Sequence, residues 1–222
     1  MGFISWLFGA KPKAITKLKV MGLSSWYEST FSNEQRSYIE ATLLQTEKRA
    51  TSERGMSFGD ITIYSDKCQF LTKLGECFDG TKEARDIAIE FCRKATEVGS
   101  EDLENHHFAF HFLISKLYKN RDEGEHYLQS VIEACEGQIA IAARVKKYCI
   151  EYRMKTLKYS KKKAVEMLPG HIGFKQLAII YEKQKDYEAV IALCRRAQTL
   201  KWPGDWDKRI ERCKSRLEKA KK

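Results

Sequence analysis

Two histidines on one helix face come nearest to metal chemistry in this chain. His107 and His111 lie four residues apart in an aromatic-rich stretch, so a helix would place both imidazoles on one face. Zinc-binding helices use this spacing, but the Glu of the H-E-x-x-H motif is absent because Phe108 follows His107. The third ligand would have to be His126 or a carboxylate of the next helix. The alternative, which we favour, is that both rings pack edge-on among aromatic neighbours, and we therefore expect no metal or other cofactor.

The seven cysteines do not indicate catalysis. Their number is odd, no pair has the C-x-x-C spacing, and several stand within apolar stripes, so a disulfide framework is not indicated. This pattern favours a reducing, cytoplasmic location. No cysteine has an identifiable activating partner, and the sequence contains neither a phosphate-binding glycine-rich loop nor a G-x-S-x-G motif. We therefore expect a protein that is not an enzyme.

Positive charge is concentrated in the last third of the chain. The net charge is +10, and residues 141–222 hold 23 Lys and Arg against 9 Asp and Glu, whereas residues 61–140 hold 9 against 15. Such segregation suggests an acidic partner, although lysines and arginines also cover ordinary solvated helix faces. Basic runs interleaved with aromatic residues suit phosphates and bases, so nucleic-acid or polyanion binding is the alternative function. Its candidate residues are Lys161, Lys162, Lys163, Arg195 and Arg196.

The elements that must position these residues are helices. From residue 67 onward the apolar residues recur at helical spacing almost everywhere. Helix pairs are predicted to begin near Lys67, Leu103, Gln138 and His171, at intervals of 33 to 36 residues. A two-helix repeat of that length is typical of an α-solenoid, because one hairpin cannot bury its apolar face alone. The prediction is an all-α superhelix of about four helix pairs.

The first 60 residues differ from the rest and are predicted to form a separate N-terminal part, with residues 61–222 as the repeat domain. Ser32 and Gln35 have capping-box spacing, which predicts a helix start. Residues 61–64 alternate apolar and polar side chains and suggest an extended lead-in. Asp205 is predicted to cap a final helix with a narrow apolar stripe, as a terminal repeat requires.

Residues 1–13 combine a cluster of large apolar side chains with lysines. No apolar run in the chain reaches the ~18 residues of a membrane span. Three environments could bury these apolar side chains: the chain's own helices, a second protomer in a homo-oligomer, and a membrane interface. We favour self-packing or a dimer contact over the membrane interface.

One segment resembles a tetratricopeptide repeat. It combines an aromatic–Leu–small–Tyr series in one helix with small and apolar residues in the next: Phe174, Leu177, Ala178, Tyr181, Val190, Cys194, Ala197 and Leu200. Lys185 stands where the family usually has a turn glycine, and the closing proline, Pro203, comes one residue late. Weaker copies lie upstream, and the resemblance to bacterial tetratricopeptide-like proteins covers about residues 67–222.

The resemblance implies a non-enzymatic scaffold for a protein or peptide. In such stacks the first helix of each pair lines a concave groove. The residues that would face it here are Lys146, Lys175, Ile179 and Lys183. The peptide-carboxylate clamp of some family members pairs a Lys with an Asn one turn later, whereas Ile179 follows Lys175 here. The expected partner is a protein or peptide with acidic character.

Overall fold

The computed structural model describes residues 11–52 and 61–220, and this part of the chain is helical almost throughout. About 78% of it is helix and none of it is strand, which confirms the all-α prediction. The chain forms two compact units, residues 1–100 and 101–222. The helices are α1 Lys13–Val20, α2 Ser24–Thr30, α3 Asn33–Ser52, α4 Lys67–Glu76, α5 Lys82–Val98, α6 Leu103–Lys119, α7 Glu125–Lys155, α8 Lys161–Glu166, α9 Ile172–Lys183, α10 Tyr187–Thr199 and α11 Trp206–Ala220.

The first unit has an aromatic core. Phe78 stacks on Phe91 with ring centroids 5.8 Å apart, and Phe31 lies 5.1 Å from the same Phe91 ring. The capping box predicted before α3 is present, because the Ser32 amide donates to Gln35 Oε1 and the Gln35 amide donates to Ser32 Oγ. These two bonds satisfy backbone amides that the helix leaves unpaired, and so fix where α3 begins.

Residues 61–63 form a single 3-10 turn, so the predicted extended lead-in is wrong at this point. The turn packs against α1 and α4, and the Lys17 ammonium donates to the Thr62 carbonyl. These tertiary contacts override the short alternating pattern. Residues 53–60, which precede the predicted domain boundary, and residues 1–10 of the apolar N-terminal cluster lie outside the described residues.

The second unit consists of α6 to α11. α7 packs against α6, α9 lies on both of them, and α10 and α11 follow in succession. α6 and α9 run parallel, because the His107 imidazole near the start of α6 bonds to Gly170 just before α9, while the Lys183 ammonium at the end of α9 donates to the Tyr118 hydroxyl near the end of α6. Two helices separated along the chain by α7 and α8 thus lie side by side.

α7 is one continuous helix of 31 residues, so the helix pair predicted to begin near Gln138 does not exist. Gly137, the residue before Gln138, makes room for a neighbouring side chain: a Cβ there would lie 2.6 Å from the Phe110 ring. Gln138 is fully buried within the helix. The predicted starts near Lys67, Leu103 and His171 agree with α4, α6 and α9.

The turn between α9 and α10 contains a lysine in an unusual backbone conformation. Lys185 has φ +62°, the left-handed conformation that glycine adopts most easily. The predicted stripe of α11 is also present, with Trp206, Ile210 and Cys213 buried. No helix among residues 11–52 and 61–220 is both long and apolar enough to cross a membrane.

Candidate functional site

Three of the four predicted groove residues share one stripe of α9. Lys175, Ile179 and Lys183 are spaced by four residues; both lysines are exposed and Ile179 is partly exposed. The stripe borders α6, since the Lys183 ammonium lies 3.2 Å from the Tyr118 hydroxyl and 5.7 Å from the centre of its ring. The stripe itself combines two charged side chains with the apolar Ile179, and we call the surface that it forms together with Tyr118 of α6 the α6–α9 face.

The structure places the fourth predicted groove residue elsewhere. The Lys146 ammonium on α7 donates to the carbonyl of Leu200 at 2.7 Å and of Lys201 at 3.4 Å. Lysine charge there offsets the partial negative charge at the C-terminus of α10. Burial and the neighbouring Lys201 charge lower the pKa of Lys146. Lys146 therefore joins α7 to α10 and does not extend the stripe on α9.

The two histidines considered as metal ligands occupy packing positions. His107 is fully buried; its Nε2 donates to the Gly170 carbonyl at 3.0 Å, and its ring stacks on Trp202 at 5.8 Å. His111 packs edge-on against Phe112. Burial lowers the pKa of both imidazoles, which keeps them neutral. In the described part of the chain no group of three or more His, Cys, Asp or Glu side chains is placed to hold a metal ion.

A second buried histidine completes an aromatic cluster at the start of α9. The His171 ring lies 4.9 Å from Trp202 and 5.2 Å from His107. Its Nδ1 accepts from the Phe174 amide, so the imidazole acts as the N-cap of α9. Burial first, and the nearby His107 second, lower the pKa of His171 to about 3. The ring is therefore a neutral helix cap in an apolar cluster.

Gln138 connects the three helices around this cluster. Its amide Nε2 donates to the His107 carbonyl of α6 at 3.0 Å, and its Oε1 accepts from the Gly173 amide of α9 at 2.6 Å. A Cβ at position 173 would lie 2.9 Å from the Cys135 carbonyl oxygen, so only glycine fits there without movement. The amide of Gln138 thus satisfies a first-turn N–H that would otherwise be buried without a partner.

The basic residues of the polyanion hypothesis lie on two helices. Lys161, Lys162 and Lys163 form the first turn of α8, and Arg195 and Arg196 lie on α10; all five are exposed. α8 packs on α7, whereas α10 packs on α9 and α11. The two clusters therefore lie on helices that pack against different neighbours.

Buried thiols in the second unit are poorly suited to nucleophilic chemistry. Burial raises the pKa of both Cys135 and Cys149 to about 12, and that of Cys194 to about 11. A thiol with such a pKa carries almost no thiolate at neutral pH. These side chains act as small apolar groups in the core.

Two ion-pair clusters were not predicted from the sequence. Arg153 at the end of α7 makes two bonds to the Glu104 carboxylate of α6, at 2.8 and 3.1 Å. The Glu182 carboxylate of α9 forms salt bridges with three arginines on one face of α11: Arg209, Arg212 and Arg216. The i, i+3, i+7 spacing of those arginines was a visible signal that they share a face, but their acidic partner lies 27 or more residues away in sequence.

The first unit contains a cleft of about 670 Å³ next to α1, α2 and α3. Its walls carry both signs of charge, from Lys11, Lys19 and Arg36 and from Glu28 and Glu40. Because basic and acidic side chains both line the cleft, its charge does not indicate one class of ligand.

No known family model, curated protein or solved structure matches this chain.

Proposed function

We propose that the second unit is a short tetratricopeptide-like superhelix that serves as a non-enzymatic scaffold and binds an acidic peptide on the α6–α9 face. The observation that carries this proposal is the parallel, side-by-side arrangement of α6 and α9. First helices of consecutive tetratricopeptide repeats lie in this way and line the groove. The left-handed Lys185 in the α9–α10 turn supports the same assignment.

The chemistry of the stripe suggests the form of the ligand. Lys175 and Lys183 are eight residues apart on one helix, a distance of about 12 Å along its axis, with Ile179 halfway between them. In an extended peptide the side chains i, i+2 and i+4 point to one side and span about 13 Å. A peptide with Glu at i and i+4 and Leu at i+2 therefore matches the lysine–isoleucine–lysine stripe in both length and charge.

Direct binding of a defined peptide tests this function. The probe is a fluorescein-labelled peptide containing Glu-Ala-Leu-Ala-Glu, with Gln-Ala-Leu-Ala-Gln as its uncharged counterpart, measured by fluorescence anisotropy on the full chain. We expect the acidic peptide to bind more tightly, and the double variant Lys175→Glu/Lys183→Glu to lose that preference. Ile179→Ser should weaken both peptides.

The matched control reverses two exposed lysines on another helix, Lys208→Glu/Lys214→Glu, and so changes the net charge equally. Equal loss of binding in both double variants would show that overall charge, and not the α6–α9 face, attracts the peptide. Failure of every acidic peptide to bind, in the defined set and in a random display library, would contradict the scaffold function itself.

Placement of the chain in the cytoplasm is part of this proposal. All seven cysteines lie in the described residues without a disulfide, and six of them are buried. Thiols in such positions persist in a reducing compartment.

A further inference from the structure

Exposed apolar side chains are concentrated at the end of α7 and in α8. Ten large hydrophobic residues are exposed in the described part of the chain, and five of them fall within residues 152–167. We call this stretch the apolar–basic segment. Its exposed members are Tyr152 at 44%, Met154 at 39%, Leu157 at 45%, Val165 at 36% and Met167 at 51%.

The segment is held in place at both ends. Arg153 is anchored by Glu104 and by the Cys149 carbonyl, and its own carbonyl accepts from the Tyr159 amide. At the other end Ala164 and Leu168 are buried, and Ser160 caps α8. The apolar side chains are therefore presented to solvent by an ordered backbone.

Lysines surround these apolar side chains. The segment contains Lys155, Lys158 and the run 161–163, against one acidic residue, Glu166. Arg153 is already neutralised by Glu104, and Lys155 is 3.9 Å from Glu151. The surplus of positive charge is thus carried by exposed side chains next to exposed apolar ones.

We propose that the apolar–basic segment binds the surface of an anionic lipid bilayer, with Met154 and Leu157 entering the interface and the lysines contacting headgroup phosphates. Apolar side chains combined with a cluster of lysines are what interfacial binding requires. A peptide ligand would need flanking walls to cover its backbone, whereas every residue among 154–163 except the partly covered Tyr159 is exposed. A bilayer needs no walls, because each side chain partitions separately. The segment shares no residue with the stripe Lys175, Ile179 and Lys183.

Vesicle co-sedimentation of the full chain tests the proposal. The probes are vesicles of phosphatidylcholine alone and of phosphatidylcholine with 30% phosphatidylserine. We expect binding to the anionic vesicles only. Neutralising three lysines, Lys161→Gln/Lys162→Gln/Lys163→Gln, should lower the partition coefficient on the order of 100-fold, since each lysine near the surface contributes about fivefold. Met154→Ser/Leu157→Ser should lower it roughly tenfold or more.

Two controls match these variants. Lys208→Gln/Lys214→Gln/Lys219→Gln removes the same charge from exposed positions on α11, and Val20→Ser removes an exposed apolar side chain from α1. Both controls should retain binding within a few fold. Circular dichroism of each variant establishes that its helices are intact.

Three results would overturn the proposal. The first is absence of binding to anionic vesicles. The second is binding that neither segment variant weakens, which would point to residues 1–13 instead. The third is binding that depends on the lysines but not on Met154 and Leu157, particularly if a single-stranded oligonucleotide competes; this would indicate polyanion binding without insertion. None of these variants alters Lys175, Ile179 or Lys183, so the peptide assay fails or succeeds independently.

Discussion

Mild acid should destabilise this protein through a histidine that its core keeps neutral. His171 is 5% exposed, and its pKa is about 3 against an ordinary value of 6.5. An unfolded chain binds a proton at this side chain as the pH falls below 6.5, while the folded chain does not. The stabilisation is therefore fully present above pH 6.5 and is lost progressively between pH 6.5 and 3.

The size of the effect follows from proton linkage. Each pH unit in this window lowers the free energy of unfolding by about 1.4 kcal/mol per histidine. Between pH 7 and pH 5 the loss from His171 integrates to about 2 kcal/mol, and this figure is nearly the same for any native pKa below about 4. His107 and His111 act in the same direction, because burial lowers the pKa of each.

Urea denaturation at pH 7 and pH 5 measures this loss, and His171→Asn isolates it. Asparagine is a good N-cap residue whose Oδ1 can accept from the Phe174 amide, but it does not titrate. The variant loses ring contacts with Trp202 and should be less stable at both pH values. The informative quantity is the difference between its free energies of unfolding at pH 7 and pH 5. We expect the wild type to lose about 2 kcal/mol more than the variant. Equal losses would refute the assignment of His171 as a buried neutral cap.

Two substitutions test the packing around α9. Gln138→Met keeps the side-chain volume but leaves the buried Gly173 amide without its acceptor, so the free energy of unfolding should fall by about 1–3 kcal/mol; Gln129→Met, at an exposed position, should change it by less than about 0.5 kcal/mol. Lys185→Gly should raise the melting temperature by roughly 1–4 °C, because relief at φ +62° exceeds the entropy cost of glycine. Lys175→Gly, within α9, should lower the stability by about 1 kcal/mol. If Lys185→Gly leaves the melting temperature unchanged or lowers it, the backbone at Lys185 is not strained. If Gln138→Met and Gln129→Met lower the free energy of unfolding equally, the hydrogen bonds of Gln138 to His107 and Gly173 do not stabilise the fold.

Local signals predicted much of the secondary structure. The Ser32–Gln35 spacing marked the start of α3, because a capping box is made by residues three apart and needs no tertiary context. The stripe of α11 was equally visible, since Trp206, Ile210 and Cys213 repeat at helical spacing and are buried. In both cases the information lies within one helix.

The continuous α7 shows why the repeat count was wrong. The helix pair near Gln138 was predicted from its distance of 35 residues after Leu103, and the apolar spacing is helical on both sides of that position. Gly137 lies there because Phe110, 27 residues earlier, occupies the space that a side chain would fill. A glycine can mark a close approach between two helices, but the sequence does not say which residue makes that approach.

The candidate site was predictable in part for the same reason. The stripe Lys175–Ile179–Lys183 lies on a single helix, so its spacing alone placed it on one face. Lys146 was assigned to that groove because of its position in a repeat, but the bond that its ammonium makes to the Leu200 carbonyl depends on how α7 crosses the end of α10. Helix crossing is determined by tertiary packing and cannot be inferred from periodicity.

The apolar–basic segment extends this argument to surfaces. In the sequence, Met154 and Leu157 look like the continuation of an amphipathic helix whose apolar side should be buried. In the structure α7 ends at Lys155, just after Arg153 bonds to Glu104, and both side chains remain partly exposed, Met154 at 39% and Leu157 at 45%. Whether an apolar side chain is exposed depends on which other elements pack over it, and the sequence around the residue does not give that information. The proposal that the lysines at 161–163 contact a lipid bilayer therefore depends on the exposed apolar side chains beside them, and not on their charge alone.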